Sequence, residues 1–274
     1  MLRSSVLACP ASLKGVLSAR EAADALARGL GDCDRLPLAD GGEGTADVVP
    51  GVVEAASVIP FDAARLDPFT SSRPFGELLA SLRVDRLVIG LGGTANMDAG
   101  AGLLEVLDGL PPTTVLCDVA TTLYDAPRLY GPQKGATPEQ VIELEARFRA
   151  DERLSPYAHL PGSGAAGGLG AALASLGAEL VPGAATVLDL LGFDPAPYSL
   201  VVTGEGRVDA TTAEGKVPFE VARRCRVAGV RCIVFGGVVT QQLSGIETVT
   251  LSGDPSRAAA DLEELGARLL DAAG

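Results

Sequence analysis

The sequence holds three lysines, and each borders a glycine inside a polar loop: Lys14 with Gly15, Lys134 with Gly135, Lys216 with Gly215. The rest of its 22 basic residues are arginines. A lysine is a compact charge on a flexible stem, which suits contact with a phosphate or a carboxylate. Carboxylates occupy similar settings. Asp40 and Glu43 lie among the glycines of Ala39-Asp40-Gly41-Gly42-Glu43-Gly44-Thr45. Glu205 and Asp209 punctuate Thr203-Gly204-Glu205-Gly206-Arg207-Val208-Asp209, ahead of Gly215-Lys216-Val217-Pro218. Such groups hold a divalent cation through oxygen or take a proton from a hydroxyl. The plain alternative for Asp40 and Glu43 is a glycine turn with solvated acids.

Other loops add donors. Cys9-Pro10-Ala11-Ser12-Leu13-Lys14-Gly15 sets a hydroxyl and an ammonium close to a helix start, a favourable place for an anion. The stretch from Gly90 to Gly102 offers Gly92 and Gly93 with Thr94, Asn96 and Asp98, three polar groups in a tight backbone nest. Tyr130–Thr137 carries Lys134 up to a helix start. For Pro161–Gly170, close helix–sheet packing explains the small residues at least as well as ligand contact. The one histidine, His159, excludes a histidine-based metal cluster and reads as structural or exposed. No GxxxxGK[ST] phosphate loop and no GxSxG elbow occur.

These loops need a scaffold. Apolar runs of strand length fall at Ser5–Cys9, Arg35–Leu38, Leu87–Leu91, Thr114–Cys117, Leu200–Thr203, Arg231–Phe235 and Thr248–Leu251, with little polar alternation, as in buried parallel strands. Helices fill the gaps. Ser18 with Glu21 is a capping box whose helix runs to Leu30, before Gly31. Thr137-Pro138 opens another helix, Val217-Pro218 one that stops at Gly229, and Asp254-Pro255 the last. The fold class is therefore α/β. Proline-rich breaks at Pro60–Pro74, Pro111-Pro112, Pro156–Pro161 and Pro195–Pro197 are the candidate domain crossings.

Composition narrows the function. The 274 residues are 47% hydrophobic but only 4% aromatic, without tryptophan, so the core is built of Ala, Val and Leu. A net charge of −13 argues against nucleic acid as partner, though not against a small anion. The five cysteines form no CxxC pair and read as reduced thiols of a cytoplasmic protein. Neither a signal peptide nor a membrane span is expected.

Taken in order, the stretches resemble the bacterial glycerate kinases of the two-domain type that lack a P-loop. Those carrying the likeness are Pro10-Ala11-Ser12-Leu13-Lys14 with Leu17-Ser18-Ala19, Ala39–Thr45, Gly92-Gly93-Thr94-Ala95 with Asp98, and Cys117-Asp118-Val119. Gly131-Pro132-Gln133-Lys134-Gly135-Ala136, Pro161–Gly168 and Thr203–Asp209 with Gly215–Pro218 complete the set. The resemblance implies a Rossmann-like parallel-sheet domain carrying both chain ends, with a second, reduced α/β domain inserted in the middle. The expected spans are 1–56 with 196–274, and 57–195, with the active site in the cleft. It also implies phosphorylation of D-glycerate with ATP and Mg2+, no nucleic-acid or membrane partner, and an assembly that allows a homodimer. On that scheme Lys14 and Arg73 clamp the substrate carboxylate or the transferring phosphoryl group, and Asp40 or Asp209 takes the hydroxyl proton. Ser12, Gly41, Gly42, Gly92, Gly93, Thr94, Asp98, Lys134, Gly204, Gly206 and Lys216 meet the nucleotide. Asp40, Glu43, Asp118 and Glu205 are the metal candidates.

The chain departs from the family pattern. Ala11 stands where Asp is usual, Leu13 where an aromatic is usual, Met97 where Asn is usual, and Ala120-Thr121-Thr122 replaces Asn-Pro-Leu. It is also shorter, mainly between residues 57 and 72 and between 104 and 114. Two rivals follow: a non-catalytic relative that binds nucleotide or phospho-acid as a sensor, and a kinase for another small hydroxy acid.

Overall fold

The computed structural model of the protein describes residues 6–209 and 216–271, so Ser5, Gly215 and Ala272 lie outside the described residues. The chain divides into two compact units, 1–40 with 187–274, and 41–186.

The first unit is built on a parallel sheet. Its strands are β1 (Val6–Ala8), β2 (Asp34–Arg35), β7 (Leu200–Val208), β8 (Arg231–Val239) and β9 (Glu247–Thr250), in the order β2-β1-β7-β8-β9. Every pairing is parallel. Counted within the unit the order is 2-1-3-4-5, a doubly wound arrangement whose order reverses between β1 and β7. Helices α1 (Ala19–Leu30) and α9 (Ala258–Asp271) cover one face, where Ala8, Val202, Ile233 and Phe235 meet Leu26, Leu30, Leu262 and Leu265. Helix α8 (Val217–Ala228) covers the other, with Ala222 against Val234 and Cys232.

Helix α1 starts where local chemistry sets it. Ser18 Oγ accepts from the Glu21 N–H at 3.2 Å, and the Glu21 carboxylate accepts from the Ser18 N–H at 2.9 Å. Two otherwise orphaned helix donors are satisfied. Ser18→Ala is expected to lower stability by about 1 kcal/mol, read as a shift of the urea midpoint with an unchanged slope.

The second unit has its own sheet, β3 (Val52–Glu54), β4 (Leu87–Leu91), β5 (Thr113–Cys117) and β6 (Glu179–Pro182), parallel and in consecutive order. One face, with Leu87, Ile89, Leu91, Val115 and Cys117, carries the core. Helices α2 (Arg73–Ser81), α3 (Ala101–Leu104), α5 (Pro138–Ala150) and α6 (Ala165–Ser175) bury Phe75, Leu103, Leu144, Phe148 and Leu169 against it. A short α4 (Ala126–Tyr130) connects, and α7 (Gly183–Leu190) carries the chain from this unit back into the first.

Two boundaries differ from the sequence reading. Segment 41–56 belongs with the second unit because Val52, Val53 and Glu54 pair with Val88, Ile89 and Gly90. The return to the first unit falls at 186/187, inside α7, rather than at the proline turn near 196.

Candidate functional site

Ligands of open parallel sheets bind beyond the carboxyl ends of the strands. In the second unit three loops meet at that edge. β4 runs into Gly92-Gly93, β5 into Asp118, and the 41–45 turn lies flat on the sheet face that carries Gly90 and Leu116. This approach explains the glycines. A Cβ on Gly90 would stand 2.9 Å from the Gly41 carbonyl oxygen, and one on Gly41 would stand 2.8 Å from Leu116 Cβ. Gly41 is also left-handed, with φ +93. Thr45 closes the turn by donating its hydroxyl to the Gly42 carbonyl at 2.7 Å.

That packing brings two carboxylates to either side of the Gly92-Gly93 backbone. A Cβ on Gly92 would lie 2.8 Å from Asp118 Oδ2 and 2.7 Å from Gly42 Cα; one on Gly93 would lie 2.9 Å from Glu43 Oε2. Glu43 is exposed, Asp118 half-buried and Gly92 buried. Two carboxylates around bare backbone suit a divalent cation that keeps its other positions for water and phosphate oxygens. Among the described residues no group of three or more His, Cys, Asp or Glu could by itself hold a metal. Of the four metal candidates, Glu43 and Asp118 flank the glycines of the second unit, and Asp40 and Glu205 belong to the first.

Lys134 is buried here, only 6% exposed, and its Nζ donates to the Asn96 carbonyl at 2.8 Å. Burial pulls its pKa down to about 8, against the opposing charges of Asp118 and Asp98. The Asn96 amide donates to Ala166 O and to Asp98 Oδ1, while its own Oδ1 and the Thr94 hydroxyl are buried without a partner.

Two predicted contacts find other duties. The Asp98 carboxylate accepts from the Ser72 N–H and hydroxyl, the Asn96 amide and the N–H groups of Gly100 and Gly102. Five donors on one carboxylate make it the staple of the 94–102 loop, with no capacity left for a nucleotide. Arg73 lies at the start of α2 with its guanidinium exposed and paired with Glu77 at 3.0 Å and Glu105 at 2.8 Å. Both carboxylates compete with any anionic substrate for it, so it is no clamp as it stands.

The first unit gathers its candidates at the β1/β7 reversal. The Ala11 N–H donates to the Gly204 carbonyl at 2.9 Å, and Gly206 lies 3.5 Å, measured from an ideal Cβ, from Leu13 Cα. Ser12 and Lys14 thus flank the end of β7, with Lys14 exposed on a turn closed by Leu13 and Leu17 and turned by Gly15 at φ +74. Glu205 pairs with Lys216 at 3.8 Å, where Lys216 precedes α8. Gly204 is required by packing: a Cβ there would meet the Phe235 carbonyl at 2.2 Å. Gly204 to Arg207 are strand residues, so Glu205 is held by the ladder and not by a loop; Asp209 follows the strand.

The 161–170 stretch is a packing device. Residues 166–168 are left-handed, and a Cβ on Gly167 would lie 2.0 Å from the Asn96 carbonyl oxygen. His159 is exposed, edge-on to Tyr124 at 5.7 Å. All five cysteines are free thiols. Sequence reasoning passed over Ser72, whose link to Asp98 spans 26 positions and leaves no local signal. Met97 and Leu13 are buried in the two cores, so these departures change packing rather than remove an exposed polar group.

Known proteins bear on this arrangement. A sequence profile of the glycerate kinase family matches residues 6–63, 50–110 and 111–271. A glycerate 2-kinase of Escherichia coli (strain K12) is 30% identical, over 87% of this chain and 86% of its own length. A glycerate kinase of Bacillus subtilis (strain 168) is 30% identical over 88% and 87%. These alignments, of 336 and 332 positions, exceed this chain's 274 residues, so both relatives carry segments it lacks. The crystal structure of an assigned glycerate kinase 2 from Salmonella typhimurium LT2 superposes with a TM-score of 0.79 at 28% identity, covering 98% of each chain. With loops, sheets and profile agreeing along nearly its whole length, the chain belongs to the glycerate kinase family.

Proposed function

We propose that this chain transfers the terminal phosphoryl group of ATP, with Mg2+, to a hydroxyl of D-glycerate. The observation that carries the reading is the pair of carboxylates, Glu43 and Asp118, set around the bare Gly92-Gly93 backbone at the carboxyl edge of a parallel sheet. Phosphoryl transfer asks for positioning and charge neutralisation more than for covalent chemistry. Glu43 and Asp118 would hold Mg2+, which supplies neutralisation of phosphate charge when bound. The N–H groups of Gly92 and Gly93 donate to phosphate oxygens, and buried Lys134 holds the loop that presents them.

In the first unit Lys14 and Ser12 bind the anionic end of a substrate at the β1/β7 reversal, with Lys216 and Glu205 beside them. Asp209, at the end of β7, or Asp40 accepts the hydroxyl proton. Arg73 and Asp98 are left out of this assignment, because their partners already occupy them.

The test is coupled ADP release from purified protein with ATP, Mg2+ and D-glycerate. Wild type is expected to turn over, and Lys14→Ala to lose at least ~10-fold in kcat/KM. No turnover by folded wild-type protein, or a Lys14→Ala value within about threefold of wild type, would overturn the reading.

A further inference from the structure

Three of the five cysteines lie on one side of the first unit's sheet. Leu7 pairs with Val201, and Val201 with Cys232. Residues paired across parallel strands face the same way, and side chains alternate along each strand. Leu7, Cys9, Val201, Cys232 and Val234 therefore share the face that α8 covers. Cys225 sits in the last turn of α8, one helical turn beyond Ala222, which packs on Cys232 and Val234.

The link between helix and strand is short and fixed. Gly229 ends the helix in a left-handed turn at φ 69, and the Val230 N–H donates to the Cys225 carbonyl at 2.9 Å. Cys225 and Cys232 are hydrogen-bonded thiol to thiol. Cys225 is buried and Cys232 partly exposed, so the outer sulfur can meet a small oxidant while the inner one is shielded. Nothing in the proposed phosphoryl transfer uses either.

We propose that Cys225 and Cys232 are a reversible redox modification site, closing to a disulfide when the protein meets peroxide. The steps balance. The Cys232 sulfur attacks hydrogen peroxide, breaking the O–O bond, and its proton goes to the leaving oxygen, so that a sulfenic acid and one water result. The Cys225 sulfur then displaces water from that sulfenic acid, so two thiols are oxidised, one peroxide is reduced and two waters leave. Exposure sets this order, since Cys232 is the partly exposed member of the pair; the hydrogen bond from Cys232 draws Cys225 toward thiolate, the form that attacks the sulfenic acid in the second step. The third thiol, Cys9, is deeply buried and pushed up by that burial, which makes it a bystander.

The experiment is thiol counting and non-reducing tryptic mapping of the full chain after graded peroxide, with iodoacetamide quenching. Reduced protein should report all five thiols. Oxidised protein should lose two and yield peptide 225–226 linked to peptide 232–257, both changes reversed by dithiothreitol. Cys232→Ser, a near-isosteric change at a partly exposed site, should abolish the linked peptide while Cys225 remains alkylatable after denaturation. Linkage of Cys225 to Cys9 or Cys33 would overturn the proposal. So would overoxidation of Cys232 without linkage, the same two-thiol loss in Cys232→Ser, or alkylation of both residues after Cys33 has been consumed.

Discussion

Lys134→Met is expected to cost ~100-fold or more in kcat/KM while the protein stays folded. The lysine keeps a charge where charge is expensive: it is 6% exposed, and burial lowers its pKa from 10.5 to about 8. Methionine fills similar space and removes that cost, but it leaves the Asn96 carbonyl without its 2.8 Å donor. The losses and gains are of similar size, so net stability should lie within about 2 kcal/mol of wild type.

The pH dependence has a definite sign. Between about 8 and 10.5 the unfolded chain holds a lysine proton that the folded chain has released. Stability relative to the variant therefore rises as pH increases through that window, by about 3 kcal/mol in all. Turnover moves the opposite way, falling as Lys134 is neutralised above pH 8. Urea unfolding at pH 7.5 and 10, with kcat/KM over the same range, checks both. A variant that unfolds, or one that keeps full activity, would show Lys134 to be only a core residue.

The parts of this fold that were legible in the sequence are those written in neighbouring residues. The capping box at Ser18/Glu21 forms as read, Thr137-Pro138 opens a helix as read, and Leu87–Leu91 is the strand its apolar run announces. Strands β3 and β6 were not legible. One is three residues long, and the other ends in Pro182; both depend on partners far along the chain. Strands β7 and β8 run on to Val208 and Val239 through glycines that read as loop, because Gly204 pairs with Phe235 and Glu205 with Gly236.

The site shows the same division. Glycine-framed carboxylates marked Glu43, a local signal, whereas Asp118 was marked only by the family resemblance of Cys117-Asp118-Val119. The role of Asp98 was not legible, because its donors come from Ser72 and from the backbone of its own loop. The same holds for Arg73, whose fate is decided by Glu105, 32 positions away. Neither the proline breaks nor composition marked the crossings at 40/41 and 186/187; pairing of Val52–Glu54 with β4 decides where segment 41–56 belongs.

Asp118→Asn should lose ~100- to 1,000-fold in kcat/KM and should raise the Mg2+ concentration for half-maximal rate by at least ~10-fold. The change keeps the shape of the side chain beside Gly92 and removes the charge that a hard cation needs. Glu43→Gln, at the exposed side of the same glycines, should raise the Mg2+ requirement less, since water can replace part of what it supplies. The two carboxylates flank one short backbone, so their effects should couple rather than add when combined. Gly92→Ala gives an independent approach to the same place. Its methyl group would have to fit 2.7 Å from Gly42 Cα and 2.8 Å from Asp118 Oδ2, so it should displace the carboxylate and reproduce the Mg2+ phenotype without changing any charge. Mg2+ titrations of turnover across wild type, Asp118→Asn and Gly92→Ala decide the matter. Unchanged half-saturation in both variants would place the metal elsewhere in the molecule and leave Asp118 a structural neighbour of the glycine loop.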